Sequence, residues 1–343
     1  TLSVMYRDVG EDGTVRGGPM YVIKNALPNS MMPLAYFFAA AGLIGALPGF
    51  QSNQLVQIIG DLPIFQFDYF NLIAGVILAG VTGVIIFGGL IRIAKVSEWL
   101  VPSMSLLYFG SVLIALMLNY DSIIPAFQII VADAFTGSAV AGGSLGTVIM
   151  IGIRRGAFSN EAGIGTESMA HGTAKTREPI REGLVAMMGP VIDTLIMCTA
   201  TAFIILLTGV WEINDNLYGV TLTAIALDTV FPFFGKYLLL VMVGFLSFTT
   251  MVTMWFYGVR SAGFLFGEKN SGFYTPVYLT LLVAGSVVSL DICVSPSFDA
   301  SVCSTSTLFV VWSTFVTLSS FCFMLFALWF LLFVLCLASF RAV

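Results

Sequence analysis

Hydrocarbon cannot hydrogen-bond a peptide group, and a layer of it about 30 Å thick is crossed by about 20 residues of α-helix rising 1.5 Å each. Eight stretches of that kind run along the chain, at approximately Met32–Ile58, Tyr69–Ile91, Leu100–Leu118, Ile124–Ile153, Leu184–Thr208, Tyr237–Phe266, Thr275–Ile292 and Thr307–Ala338. They explain why only 10% of the 343 residues are charged, where a soluble domain carries roughly a quarter. The predicted fold class is all-α and integral to the membrane, a polytopic bundle of about eight transmembrane helices. Gly42, Gly45, Gly75, Gly80 and Gly83 fall within the spans, where small residues let backbones approach and pack in lipid.

The cations give the orientation, because short cytoplasmic loops hold an excess of Lys and Arg. Thirteen of the fourteen lie before span one, after spans two and four, at the end of span six or after span eight, all on one side of the membrane. The intervening loops hold Asp61, Asp68, Asp121, Glu212, Asp215 and Asp228, with Lys236 at the rim. Both ends of the chain therefore read as cytoplasmic and the protein as multi-pass in the cell membrane. Residues 1–30 are expected to form a cytoplasmic loop and 31–292 the transmembrane domain. Residues 293–343 hold four of the five cysteines and none of the 34 glycines, so they read as a divergent hydrophobic tail; a shifted reading frame near Asp291 would account for it. The charged start at Thr1 lacks a signal-peptide layout and suggests a chain truncated upstream.

Several classes of function drop out. A formal charge of -5 without a dense basic stretch gives no nucleic-acid footprint. One histidine and scattered cysteines give no metal frame, and no set of nucleophile, base and acid appears at a recognisable spacing. No organic cofactor is implied, and an enzyme is not expected.

What remains are polar residues at membrane depth. Span four, AFTGSAVAGGSLGTVIMIGI, carries Thr136, Gly137, Gly142, Gly143 and Gly146. Such glycines either break the helix and free backbone groups for a substrate's charged ends, or only permit close packing; spacing leaves both open. Gln51, Asn53 and Gln54 follow a Pro48-Gly49 interruption in span one, Asp193 lies inside span five, and Thr249, Thr250 and Thr253 lie in span six. An intramembrane carboxylate marks a functional candidate or a structural hydrogen bond, and each threonine can hide its hydroxyl on its own preceding turn. The loop RRGAFSNEAGIGTESMAHG reads as a solvated connector, with His171 exposed in it.

Three blocks carry a resemblance: GEDGTVRGGPMYVIKNAL (10–27), FQSNQLVQ (50–57) and RRGAFSNEAGIGTESMAHGTAKTREPIREGLVAMMGPVIDT (154–194). They resemble the alanine or glycine:sodium symporter family, in order, from residue 1 to about 292. The resemblance implies the leucine-transporter-like fold, two inverted repeats of five helices. The eight spans then look like helices 3 to 5 of the first repeat and all five of the second, an incomplete 5+5 bundle. Thr136, Gly137, Gly142 and Gly143 would belong to the substrate site. Gln51 matches the glutamine of a Q-x-N motif that faces the amino acid, and Thr249 and Thr250 match an F-[ST]-T element that gives hydroxyl oxygens to sodium. Met254 stands at the substrate-pocket wall where the family pattern puts Trp, with Trp255 one place later. Asn160, Glu161 and Asp193 are structural or coupling candidates.

The function so implied for the intact protein is sodium-coupled symport of a small neutral amino acid, alanine or glycine, by alternating access, with sodium as the coupling ion and the bilayer as surroundings. The competing expectation is a non-transporting truncated membrane protein or partner subunit.

Overall fold

Pro48 has no N–H to give a helix and Gly49 gains least from staying in one, and together they decide the shape of the first span. The computed structural model describes residues 1–10, 13–60, 62, 65, 67–128, 161–210 and 220–288. Span four beyond residue 128, with Thr136, Gly137, Gly142, Gly143 and Asn160, and the tail 293–343 lie outside the described residues.

Short elements open the chain: α1 (Leu2–Met5), an antiparallel pair β1 (Asp8–Val9) and β2 (Val15–Arg16), and α2 (Pro19–Ala26), which starts on a proline whose missing donor costs nothing at a first turn. Span one follows as two helices, α3 (Met32–Gly45) and α4 (Gly49–Gly60), interrupted at Ala46-Leu47-Pro48. Next come α5 (Phe70–Ile86) and α6 (Gly89–Leu118). The polar stretch expected to separate spans two and three, Arg92–Glu98, is helical and belongs to α6, which at 30 residues is about 45 Å long.

After the undescribed segment, α7 (Glu161–Ile164) and α8 (Glu167–Gly172) lead to a continuous helix α9 (Pro179–Thr208). Its Val191–Cys198 stretch is π-helical, directly after Pro190, whose ring cannot continue the i→i−4 ladder. The region from Val210 to Gly235, expected to be a loop, holds α10 (Val220–Val230), too short to cross a bilayer but with Ala226 and Leu227 fully buried. Then come α11 (Gly235–Phe266) and α12 (Tyr274–Val287).

Among the described residues three helices are long and apolar enough to cross a membrane: Ile91–Leu118 within α6, α9 and α11. Two shorter apolar helices, Asn29–Gly45 and α5, accompany them. Large apolar side chains such as Val76, Ile77, Val84, Leu106 and Leu195 lie exposed on the outside, as a lipid-facing surface requires. The protein is an all-α, multi-pass membrane protein.

The core gathers on α11, which packs against α3, α4, α5, α6, α10 and α12. Leu238, Leu239, Met242 and Met251 of α11 join Leu55 and Ile58 of α4, Val112 of α6, Ile204 of α9 and Tyr278 and Leu282 of α12 in one buried cluster. The helix α12 is wedged between α4 and α5, and small residues set the distance. A Cβ on Gly285 would lie 2.6 Å from Gly49 Cα, and one on Gly75 would lie 2.9 Å from Ser286 Cβ. Backbone against backbone at Gly49–Gly285 leaves no side-chain end to move aside. Gly285→Leu should therefore destabilise the folded protein by about 1–3 kcal/mol, read as a lower unfolding midpoint in detergent. An unchanged midpoint would show that α4 and α12 do not meet there.

Candidate functional site

The break between α3 and α4 turns the first residues of α4 into a polar corner. Ser52 is fully buried and its hydroxyl donates to Gly49 O at 3.1 Å. The Asn53 amide donates to Gly285 O at 3.1 Å and to Val288 O at 2.5 Å, tying α4 to the last turn of α12. Tyr274 of α12 donates to Ala46 O at 3.4 Å inside the break itself. Two side-chain oxygens are then left: Gln51 Oε1 and Asn53 Oδ1 are shielded from solvent and meet no donor among the described residues. Such an unmatched buried acceptor costs about 1–3 kcal/mol. Neutral carbonyl oxygens in this state call for an N–H donor or a cation.

The facing helix supplies a second set of oxygens. Thr249 donates to Phe245 O at 2.9 Å, Thr250 to Leu246 O at 2.8 Å and Thr253 to Thr249 O at 2.9 Å. The expected back-bonding is thus present, and it spends the hydroxyl protons inside α11. What the same oxygens meet next must itself be a donor or a cation. Thr249 is buried and Thr250 half-buried. Helices α4 and α11 pack together through Leu55 and Met251, so Gln51 and the threonines lie on adjoining helices.

Met254 and Trp255 both reach the cluster beside the α3–α4 break and differ in their further contacts. Met254 packs against the cluster of Met20, Ala35, Phe38, Ala46, Met169 and Tyr257, beside the α3–α4 break. Trp255 donates from Nε1 to Thr275 Oγ1 at 3.1 Å on α12. Both side chains therefore stand near the break, and the indole is in addition tied to α12.

At the end of the bundle where α3 begins and α11 finishes, the presumed solvated connector is a docked strap, a correction to the sequence expectation. Met169 of α8 is fully buried among Met20, Phe38, Phe256 and Tyr257. Glu161 of α7 is half-buried and accepts a hydrogen bond from the Tyr257 hydroxyl of α11. His171, expected to be exposed, is half-buried between two carboxylates, Glu167 Oε1 at 3.2 Å from Nε2 and Glu182 Oε1 at 2.6 Å from Nδ1. The N-terminal segment lies over the strap: Ser3 donates to Ser168 O at 2.6 Å and Arg7 to Ala174 O and Thr176 O at 3.0 and 3.1 Å. Gly17 and Gly172 touch backbone to backbone, since a Cβ on Gly17 would lie 2.4 Å from Gly172 Cα. Asp193 sits in the π-helical turn of α9, close enough for its charge to act on Glu161.

Sequence reasoning singled out Gln51, Thr249, Thr250, Met254, Asp193 and Glu161, and the structure places the first four on the adjoining elements α4 and α11 and the last two beside the strap. It missed the role of Tyr257 and the carboxylate partners of His171. The readable signal was the i, i+4 spacing of Glu167 and His171, which puts both on one face of a helix.

Burial raises the Glu161 carboxyl above its ordinary value, against the pull of the Tyr257 hydroxyl. A carboxyl raised in the folded state binds its proton more readily there than when unfolded. It therefore favours folding at low pH, and this contribution fades as pH rises from the ordinary carboxylate value through the folded one. Glu161→Gln keeps an acceptor for Tyr257 and removes the half-buried charge. It should stabilise the protein at pH 7.5 by about 1 kcal/mol and flatten the stability profile in mildly acidic solution. Destabilisation at pH 7.5 in thermal or denaturant unfolding would show that the charged form is what the fold requires.

Comparison with known proteins agrees with this architecture. The model of the family described as the sodium:alanine symporter family matches residues 1–323. The chain is 36% identical over 292 residues to the uncharacterized transporter YflA of Bacillus subtilis, covering 83% of this chain and 61% of that protein. It is 34% identical over 301 residues to the sodium/alanine symporter AgcS of Methanococcus maripaludis, covering 85% and 65%. It is 32% identical over 293 residues to the probable sodium/glutamine symporter GlnT of Bacillus subtilis, covering 85% and 60%. The chain thus spans about three fifths of the length of these curated relatives. With a helix broken at Pro48, oxygen-lined neighbours on α4 and α11 and a family match over most of its length, this chain belongs to the sodium:alanine symporter family.

Proposed function

We propose that the protein takes part in sodium-coupled symport of a small neutral amino acid, alanine or glycine, across the cell membrane. The observation that carries this reading is the two buried oxygens after the α3–α4 break that meet no donor among the described residues, Gln51 Oε1 and Asn53 Oδ1, on a helix that packs against α11, where the protons of Thr249 and Thr250 are already spent. An amino acid's ammonium supplies N–H donors to such oxygens, and sodium, a hard cation, takes oxygen ligands. In this reading Gln51 contacts the substrate and Met254 forms the pocket wall. Thr249 and Thr250 contribute to a sodium site. Thr136, Gly137, Gly142 and Gly143 of span four belong to the substrate site, in an inverted-repeat bundle of the leucine-transporter type with both chain ends cytoplasmic. Asn160, Glu161 and Asp193 act in coupling. Relatives named for sodium/alanine and sodium/glutamine symport support the class of substrate.

Ion and substrate bound together favour closure of such a site more than either alone, and that difference drives alternating access. The chemistry is transport, with no bond made or broken.

In proteoliposomes of the intact protein under an inward sodium gradient, labelled alanine should accumulate and collapse of the gradient should release it. Gln51→Ala should raise the alanine concentration needed for half-maximal uptake by about tenfold, the loss of one hydrogen bond to a charged group. Thr250→Val nearly preserves volume and removes an oxygen, so it should chiefly raise the sodium concentration required. An unchanged sodium titration in Thr250→Val would reject that assignment, and uptake indifferent to sodium would reject the symport reading in favour of a non-transporting membrane protein or partner subunit.

A further inference from the structure

His171 offers two ring nitrogens, and each faces a carboxylate oxygen: Nε2 that of Glu167 at 3.2 Å and Nδ1 that of Glu182 at 2.6 Å. Neutral imidazole has one donor and one acceptor nitrogen. With both carboxylates ionised, a neutral ring would set lone pair against lone pair at one of the two contacts. The geometry therefore requires one further proton in the triad, on the ring or on a carboxyl. We propose that Glu167, His171 and Glu182 form a proton-binding clasp that fastens the α7–α8 strap to α9 and holds this end of the bundle closed.

The clasp adds a proton-dependent link between elements that the N-terminal segment also bridges. Glu167 and His171 are one turn apart on α8, and Glu182 lies in the first turn of α9. The strap covers the ends of α3 and α11 through Met169, and the N-terminal segment sits over it through Ser3, Arg7 and Gly17. Charges near the clasp come from several neighbouring elements, among them Arg16 of β2, which pairs with Glu268, and Arg7, which bonds to the turn between α8 and α9. From α7, Glu161 acts on His171; from α9, Asp193 lies beyond Glu161; and from α1, the α-amino group of Thr1 lies near Glu182. The α11 side presents Tyr257, whose hydroxyl goes to Glu161. Lys175, Arg177 and Arg181 are exposed.

Hydrogen bonding to Glu167, set against burial and reinforced by Glu182, raises His171 above the ordinary histidine value. The sign follows. A base raised in the closed state stabilises closure fully below its free value of about 6.5, and that stabilisation is lost as pH rises through the raised value. Cytoplasmic alkalinisation then loosens the strap and acidification fastens it.

The chain has one histidine, so labelling histidine with 13C and 15N reports His171 alone in nanodiscs. The ring should titrate above the ordinary histidine midpoint, with both nitrogens protonated below it. Glu182→Gln and Glu167→Gln should each move the midpoint down. An N-terminally extended form, without the Thr1 charge, should keep it raised. In parallel, trypsin cleavage at Lys175 and Arg177, normalised to the rate on denatured protein at each pH, should accelerate above the midpoint. One proton allows at most about tenfold per pH unit, and His171→Gln should remove the dependence. A wild-type midpoint at or below the ordinary value, or cleavage independent of pH, overturns the proposal, and the wild-type titration decides even if a Glu variant fails to fold. Transport is not an input to either reading: loss of sodium-driven uptake with the titration intact would count against the symport function alone.

Discussion

A peptide group in hydrocarbon has no water to turn to, and each one left unmatched costs several kcal/mol. Irregular backbone at membrane depth therefore needs partners from neighbouring elements. The α3–α4 break is the clearest case. Its Ala46 carbonyl takes the Tyr274 hydroxyl, its Gly49 carbonyl takes the Ser52 hydroxyl, and α12 presses against it closely enough that Gly285 has no room for a side chain. The break exists because Pro48 cannot continue the helix, and it survives because α12 covers it. Gln51 Oε1 and Asn53 Oδ1 are the side-chain acceptors of this corner that meet no donor among the described residues.

The same central helix serves both ends of the argument. Thr250 and Tyr257 are seven residues apart on α11, two turns and about 10 Å along the axis, and so share a face. Thr250 stands beside the proposed ion site, while Tyr257 holds the half-buried carboxylate of the strap. A rotation or tilt of α11 that altered one contact would be felt at the other without any intermediate wire. The fold thereby provides a two-ended rigid element, which is what a coupling between ion binding and closure at one side needs.

The helical class and most spans were legible because length and hydropathy are local: about 20 apolar residues suffice to name a spanning helix. The interruption at Pro48-Gly49 and the polar residues after it were legible for the same reason, since proline's missing donor is a property of the residue. The helix α10 was not, because its 11 residues with Asp228 at one end look like any connector until Ala226 and Leu227 are seen buried against α11. The strap was misread through its composition. Gly, Ser, Glu and Asn over a dozen positions signal solvent exposure, yet Met169 is fully buried in the cluster below and the N-terminal segment lies over the strap. Contacts between residues more than 150 positions apart, as between Ser3 and Ser168, leave no periodic trace in a sequence.

Glycine usage separates two kinds of small residue that composition lumps together. Gly75 and Gly285 permit helix packing in the membrane, where closeness itself supplies the attraction. Gly17 and Gly172 do something different outside it: they let the N-terminal segment lie on the strap with backbones in contact, beneath the Ser3 hydroxyl. A side chain at either position would lift the segment off α8. Arg7 would then lose its reach to Ala174 O and Thr176 O, and with it the bonds that hold the connection into α9 in place. The clasp at His171 depends on that placement, because Glu182 meets the imidazole only while the turn from α8 into α9 is held at its present angle. The two glycines therefore act on the proton-binding group through geometry, though neither carries a titratable atom.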